Sequence, residues 1–214
     1  MKLIFTYLFI CFVFNCCVLT KNTSYKKFLD PRDGERYGYV EIQGDTWMTE
    51  NMRYNVKGSK LNPDNPSPLY GRLYNWEQAM KACPEGWRLS TDLDWMMLEK
   101  HFIPEDSLFM VRVSRGQNIQ ILKAKKGWQS KGTDSLRLNI LPAGWSDYNG
   151  FHVLSKAALF WTSDSHYEGG VMAEMLAYYR VIEENNLGIY YGVQDKKVYL
   201  SCRCVKNKKG WITE

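Results

Sequence analysis

Apolar and polar residues alternate through "ERYGYVEIQGDTWMTENM" (35–52), on both sides of "QGD". A period of two around a turn predicts a β-hairpin, with Tyr37, Tyr39 and Glu41 on one face and Val40 and Ile42 on the other. The pattern then changes. The stretch 55–73 holds three of the seven prolines and predicts a loop. In "NWEQAMKA" (75–82), Asn75 is placed to cap a helix, with Gln78 three residues on completing a capping box. Pro84 and Gly86 end that helix. "WRL" (87–89) predicts a brief strand. Thr91 caps a second helix whose first turn carries Asp92 and Asp94, favoured there by the helix dipole. Trp95, Leu98 and Phe102 follow at i, i+3 and i+7, a stripe that predicts a core face.

Beyond residue 120 no long helical period recurs. The segment 120–151 is rich in glycine and turn residues, with short apolar pieces. "ALFWTSD" (158–164), "MLAYYRVIEENNLGIYYGV" (175–193) and "KVYLSCRCVK" (197–206) read as three or four strands, with "NNLG" (185–188) as a hairpin loop. A hairpin, two helices, a loop-rich middle and a final run of strands predict an α+β domain, its helices segregated from an antiparallel sheet. Trp47, Trp76, Trp87, Trp95 and Trp161 are expected in the core. Tyr178, Tyr179, Tyr190 and Tyr191 come as adjacent pairs, so one of each pair should face outward.

The 214 residues suffice for one domain with a real core, and 45% hydrophobic with 24% charged residues is a globular composition. The net charge of +5 is mild and scattered, so no nucleic-acid partner is expected. Residues 1–20, "MKLIFTYLFICFVFNCCVLT", have the size and layout of a signal peptide, with Cys16 and Cys17 as candidate lipidation sites. The residue before a lipidated cysteine is usually small, which suits Cys17 better than Cys16. The reading is therefore an exported protein, on the outer membrane or cell surface through a lipid anchor or an uncleaved leader, and otherwise secreted or periplasmic. Residues 21–29 read as a linker, 30–206 as the domain and 207–214 as a basic tail. Cys11, Cys16 and Cys17 belong to the leader, leaving Cys83, Cys202 and Cys204 in the body. In an oxidising compartment two of those three are expected to pair.

The pieces "DPRDGERYGYVEIQGDTWMTENM", "YGRLYNWEQAMKACPEGWRLSTDLDW", "LNILPAGWSDYNGF", "FWTSD", "AYYR" and "CRCVK" resemble, in order over residues 30–206, the Fibrobacter succinogenes major paralogous domain of exported bacterial proteins. Ser90 departs from the proline that the family usually has there, which leaves Thr91 free to cap. The layout also resembles a C-type-lectin-like domain, two helices packed on an antiparallel sheet with a long loop-rich region. That resemblance implies a disulfide between the end of the first helix and the last strand, Cys83 to Cys204. Cys202 lies two positions away on the same strand face and competes for the same partner.

No zinc motif links the cysteines with His101, His152 or His166, and no metal or cofactor is expected. "NPDNP" (62–66) looks like a lectin calcium triplet but stands in the wrong half of the chain. "RLSTDLDW" also resembles the formylglycine-generating enzymes, oxidases for which Cys202 and Cys204 are the only candidate thiols; a structural bridge would consume one. Asp147, Asp164 and Glu168 are the carboxylates weighed for a glycosidase pair. The stronger signal is "GWSDYNGF" (144–151), where aromatics sit among amides and carboxylates in a predicted loop. Trp145, Asp147, Tyr148 and Asn149 are the candidate ligand-binding residues, suited to stacking on a sugar ring and bonding its hydroxyls. Trp145 and Phe151 have a competing role as core beneath the loop. The expectation is a non-catalytic, metal-independent module for a glycan or cell-surface polymer. The alternative is an envelope protein that binds other proteins.

Overall fold

The computed structural model describes residues 26–167, 170 and 172–207; the leader with Cys16 and Cys17, the basic residues from 208 on, and Glu168 lie outside them. The chain runs through β1 (Lys26–Leu29), β2 (Arg36–Ile42), β3 (Asp45–Met48), β4 (Leu73–Tyr74), α1 (Trp76–Ala82), β5 (Trp87–Leu89), α2 (Asp92–Glu99) and β6 (Val113–Arg115). It continues through β7 (Trp145–Asp147), β8 (Gly150–His152), β9 (Ala157–Ser165), β10 (Leu176–Glu183), β11 (Ile189–Asp195), β12 (Leu200–Ser201) and β13 (Cys204–Lys206). The strands form a five-stranded sheet ordered β1-β2-β3-β13-β5, a six-stranded sheet ordered β4-β12-β9-β10-β11-β6, and the two-stranded β7-β8. The chain enters the first sheet at Lys26, inside the stretch read as a linker.

This overturns the expected α+β, C-type-lectin-like arrangement. The described residues are mostly sheet, and the two α-helices are only seven and eight residues long. Nor are the helices segregated as a pair: α1 contributes Ala79 and Ala82 to one buried cluster, whereas α2 contributes Trp95 and Leu98 to another. The additional strands are short ones. β4 and β12 span two residues each and β6, β7 and β8 three, too few for a period of two to register against the turns around them.

Local expectations are met where the chemistry is specific. β2 pairs with β3 in the register Val40↔Trp47 and Ile42↔Asp45. The two turn residues, Gln43 and Gly44, have φ of 49° and 86°, the positive values that fit a hairpin's twist. Both helices open on a reciprocal capping box, Asn75 with Gln78 and Thr91 with Asp94. α2 stops at Glu99, so Phe102 joins the core from the following turn.

Alternation along the strands divides the interior in two. Val40, Ile42, Trp47, Phe160, Ile182 and Val205 face the cluster built on α2. Tyr37, Tyr39, Met48, Leu159 and Trp161 face the cluster built on α1. Residues from both faces of each large sheet thus enter a core cluster. For the same reason none of Tyr178, Tyr179, Tyr190 and Tyr191 is fully exposed, contrary to the expectation of one outward ring per pair.

Charged side chains also lie inside. Glu99 is fully buried and takes hydrogen bonds from Arg115 and from Arg180 Nε, the latter at 2.6 Å. Arg180 is buried too; it pairs with Asp92 at 2.7 Å, and its guanidinium stacks 3.8 Å from the Tyr191 ring centroid. The Tyr191 hydroxyl donates to Asp92 at 2.9 Å. Charges removed from water survive only when paired in this way.

Candidate functional site

The segment singled out as a loop is a hairpin. β7 and β8 pair Trp145↔His152, Ser146↔Phe151 and Asp147↔Gly150, so Trp145, Asp147 and His152 share one face. Tyr148 and Asn149 form its tip. Asp147 Oδ1 accepts from the Asn149 backbone N–H at 2.7 Å, a side-chain bond that shapes the turn. The same oxygen lies 2.8 Å from His152 Nε2. The His152 bond, aided by Asn149, holds the Asp147 carboxyl below the usual range. The His152 ring in turn packs on the Trp145 indole, with centroids 4.6 Å apart.

The base of the hairpin is anchored by residues distant in sequence. Ser146 exchanges two backbone hydrogen bonds with Tyr199, at 3.0 and 2.7 Å. Lys60 Nζ donates to Ser146 Oγ at 3.0 Å and to the Asp147 carbonyl at 2.7 Å, and lies 4.1 Å from the Tyr199 ring centroid. Gly144 leads into β7 at φ 68°; a Cβ there would stand 2.2 Å from the His152 carbonyl oxygen. Close backbone approach therefore requires glycine at the hairpin's root.

The predicted residues take different roles. Tyr148 is 93% exposed and presents its whole ring to solvent, whereas Phe151, on the opposite face, is 38% exposed. Trp145 is half-buried, neither core nor free. It forms the wall between two clefts and lines both. One, of about 570 Å³, is bounded by Lys60, Trp145, Asp147, Tyr148, Asp195 and Tyr199. The other, of about 800 Å³, is bounded by Gln129, Lys156, Tyr179, Glu183, Asn185 and Asn186 with Trp145. Gln194 also lines both.

The second cleft is firmly built. Glu184 Oε1 and Oε2 accept from the backbone N–H groups of Ser130 and Gln129, at 2.5 and 3.1 Å. Burial acts to raise the Glu184 carboxyl, but these bonds outweigh it and leave it lowered. Buried Lys123 donates to the Glu184 carbonyl at 2.9 Å. Burial pushes the Tyr179 hydroxyl up to about 12, so it remains a neutral donor at physiological pH. The groove thus offers aromatic surface flanked by amides, carboxylates and lysines, the donors and acceptors that a polyhydroxylated ligand uses.

Sequence reasoning missed Lys60, Gln129, Gln194, Tyr199 and the Glu183–Asn186 turn as partners of Trp145. Only the last carried a signal, being a polar loop between two strands. Of the carboxylates weighed for a glycosidase pair, the two among the described residues do not meet in this groove: Asp147 is engaged by His152, and Asp164 accepts from the Asp92 backbone N–H beside α2 at 2.7 Å. Cys83 and Cys204 form the expected disulfide. Cys202 is buried, and burial pushes its thiol far above the usual range, so little thiolate is present at neutral pH for oxidase chemistry. Arg203 points away from Cys202 and Cys204 and donates to the carbonyls of Met48 and Leu138 and to Asn51.

Comparison with curated proteins and with solved structures returned no match. A family model, described as the Fibrobacter succinogenes major domain, matches residues 40–206 and takes in both capping boxes, the hairpin, both clefts and the disulfide. The chain therefore belongs to the Fibrobacter succinogenes major domain family.

Proposed function

We propose that this protein is a non-catalytic binding module of the bacterial envelope, recognising a glycan or another cell-surface polymer without a metal ion. The observation that carries the reading is Trp145, half-buried between two clefts lined by amides and carboxylates. A pyranose ring stacks its apolar face on such an indole while its hydroxyls bond to Gln129, Asn185 and Gln194. Tyr148 stands beside the first cleft as a second stacking surface. The Asp147 carboxylate is already engaged by His152 and Asn149, which suits it to positioning the hairpin rather than to holding calcium. Export fits the disulfide, because such bridges persist in oxidising compartments. The anchor would be a lipid on Cys16 or Cys17, both outside the described residues.

The test is binding of the purified protein to an array of bacterial and plant glycans, with and without EDTA. Binding is expected to survive EDTA, to weaken by about tenfold or more in Trp145→Ala, and to weaken less in Tyr148→Ala. Loss of binding in EDTA would refute metal independence. A blank array from folded protein would refute the glycan reading.

A second reading, a protein-binding envelope component, is favoured by a different feature. Phe109, Met110 and Val111 are exposed in succession just before β6, the edge strand of the six-stranded sheet. Adjacent apolar side chains beside an open sheet edge suit a peptide or protein partner. Substitution of all three by serine would abolish such an interaction and leave glycan binding intact.

A further inference from the structure

The three body cysteines form one cluster. The Sγ atoms of Cys83, Cys202 and Cys204 lie within 4.8 Å of one another, two bonded and the third free. Cys202 Sγ is 3.7 Å from Cys83 Sγ, in van der Waals contact with one end of the bridge. Between β12 and β13, Cys202 and Cys204 both pack into the α1 cluster, while Arg203 between them turns the other way, over the Phe160 ring. Cys83 approaches from the end of α1, where it ends the helix in extended backbone. Of the three it alone is not fully buried.

We propose that these residues form an internal thiol–disulfide exchange site, in which Cys83 bonds alternately to Cys204 and to Cys202. The Cys202 thiolate attacks Cys83 Sγ, and a new S–S bond forms. The Cys83–Cys204 bond breaks, and its electron pair leaves on Cys204 Sγ, which takes up the proton that Cys202 gave up. One disulfide and one thiol exist before and after, so neither oxidant nor reductant is consumed. The same geometry repairs the bridge. If an external thiol captures Cys83 as a mixed disulfide, Cys202 or Cys204 attacks Cys83 and expels it.

The ionisable groups around Cys202 are Arg203 on its own segment, Arg32 from the turn before β2 and Tyr74 of β4. Burial outweighs the two arginines and keeps the thiolate scarce, so exchange is slow at neutral pH and quickens as pH rises.

Trypsin makes the exchange readable, because it cuts after Lys197, Arg203 and Lys206 and so separates Cys202 from Cys204. The oxidised, folded chain is held for equal times at pH of about 7 and about 9, where thiolate supply differs by at least tenfold. It is quenched in acid, denatured, and labelled with N-ethylmaleimide at mildly acid pH. Peptide mapping should then find label on Cys204 as well as Cys202, with about tenfold or more Cys204 label at the higher pH. Label confined to Cys202 at both pH values would overturn the proposal. Cys204→Ala, produced in an oxidising compartment, should carry a Cys83–Cys202 bridge. A folded Cys204→Ala protein with two free thiols would equally overturn it, and if that variant does not fold, the peptide map of the unaltered chain still decides.

Discussion

Replacing Arg180 by methionine tests whether the buried charges act as a unit. Arg180 spans Glu99 and Asp92, on opposite ends of α2, and covers the Tyr191 ring. Methionine fills much of the same space, so the loss is mainly electrostatic. Glu99 keeps Arg115, and Asp92 keeps the Tyr191 hydroxyl, so neither carboxylate is orphaned. The lower end of the range for breaking a buried pair therefore applies, about 3 kcal/mol. For a domain of this size that lowers Tm by roughly 6–12 °C. Urea unfolding followed by tryptophan fluorescence gives the free energy directly. Glu99→Gln should cost a similar amount, because it leaves two buried guanidinium groups facing a neutral amide. The decisive variant combines Glu99→Gln with Arg180→Met. Once the anion is gone, removing one cation relieves repulsion with Arg115, so the double variant should be more stable than the sum predicts by about 1–3 kcal/mol. Additivity within about 0.5 kcal/mol would refute the argument.

Removing the bridge with Cys83→Ala releases a closed loop with a sequence separation of 121 and should cost up to about 5 kcal/mol by loop entropy, with a raised urea m-value; an unchanged midpoint would count against it. Asp30 is buried, yet the bonds and charge of Arg32 outweigh that burial and hold its carboxyl below the usual range. Its contribution is complete above the unfolded pKa of about 3.9 and is lost as pH falls through the lowered folded value. Asp30→Asn should therefore destabilise the protein at neutral pH and flatten the acid limb of its stability curve, whereas parallel curves would sink the assignment. Gly144→Ala should displace the β7–β8 hairpin and weaken any ligand held at Trp145, read by near-ultraviolet circular dichroism and binding; native spectra and affinity would show that the root is less tightly fitted than described.

What the sequence made legible was local. The β2–β3 hairpin, both helix caps and the long strands β9, β10 and β11 follow from residue periodicity and side-chain chemistry within a few positions. The Cys83–Cys204 pairing came from the resemblance to a lectin-like layout, since spacing alone left Cys202 open as a competitor. The sheet-dominated architecture was not legible, because strands of two or three residues exist only through partners far away, such as β12 between β4 and β9. Glu99, Arg115 and Arg180 were missed because charge suggests a solvated face. Glu99 did carry a hint, standing four positions after Trp95 on the side of α2 that meets the core. At the candidate site the sequence singled out the hairpin tip and not its surroundings. Lys60 and Tyr199 reach Trp145 and its hairpin only through the fold.

The Cys83–Cys204 bond has a mechanical consequence. Tension applied to the two ends of the domain passes from one cysteine to the other, bypassing the residues between them. With a separation of 121 positions, a contour length of about 400 Å is withheld from extension. An extending force can peel β1, β2 and β3 from their sheet. The segment carrying Trp145, Tyr148, Asn185 and Gln194 cannot be drawn out while either arrangement of the bridge is intact. Its hairpin and the second cleft lie wholly on the shielded side of the covalent clamp, so they outlast the part of the domain that bears the strain.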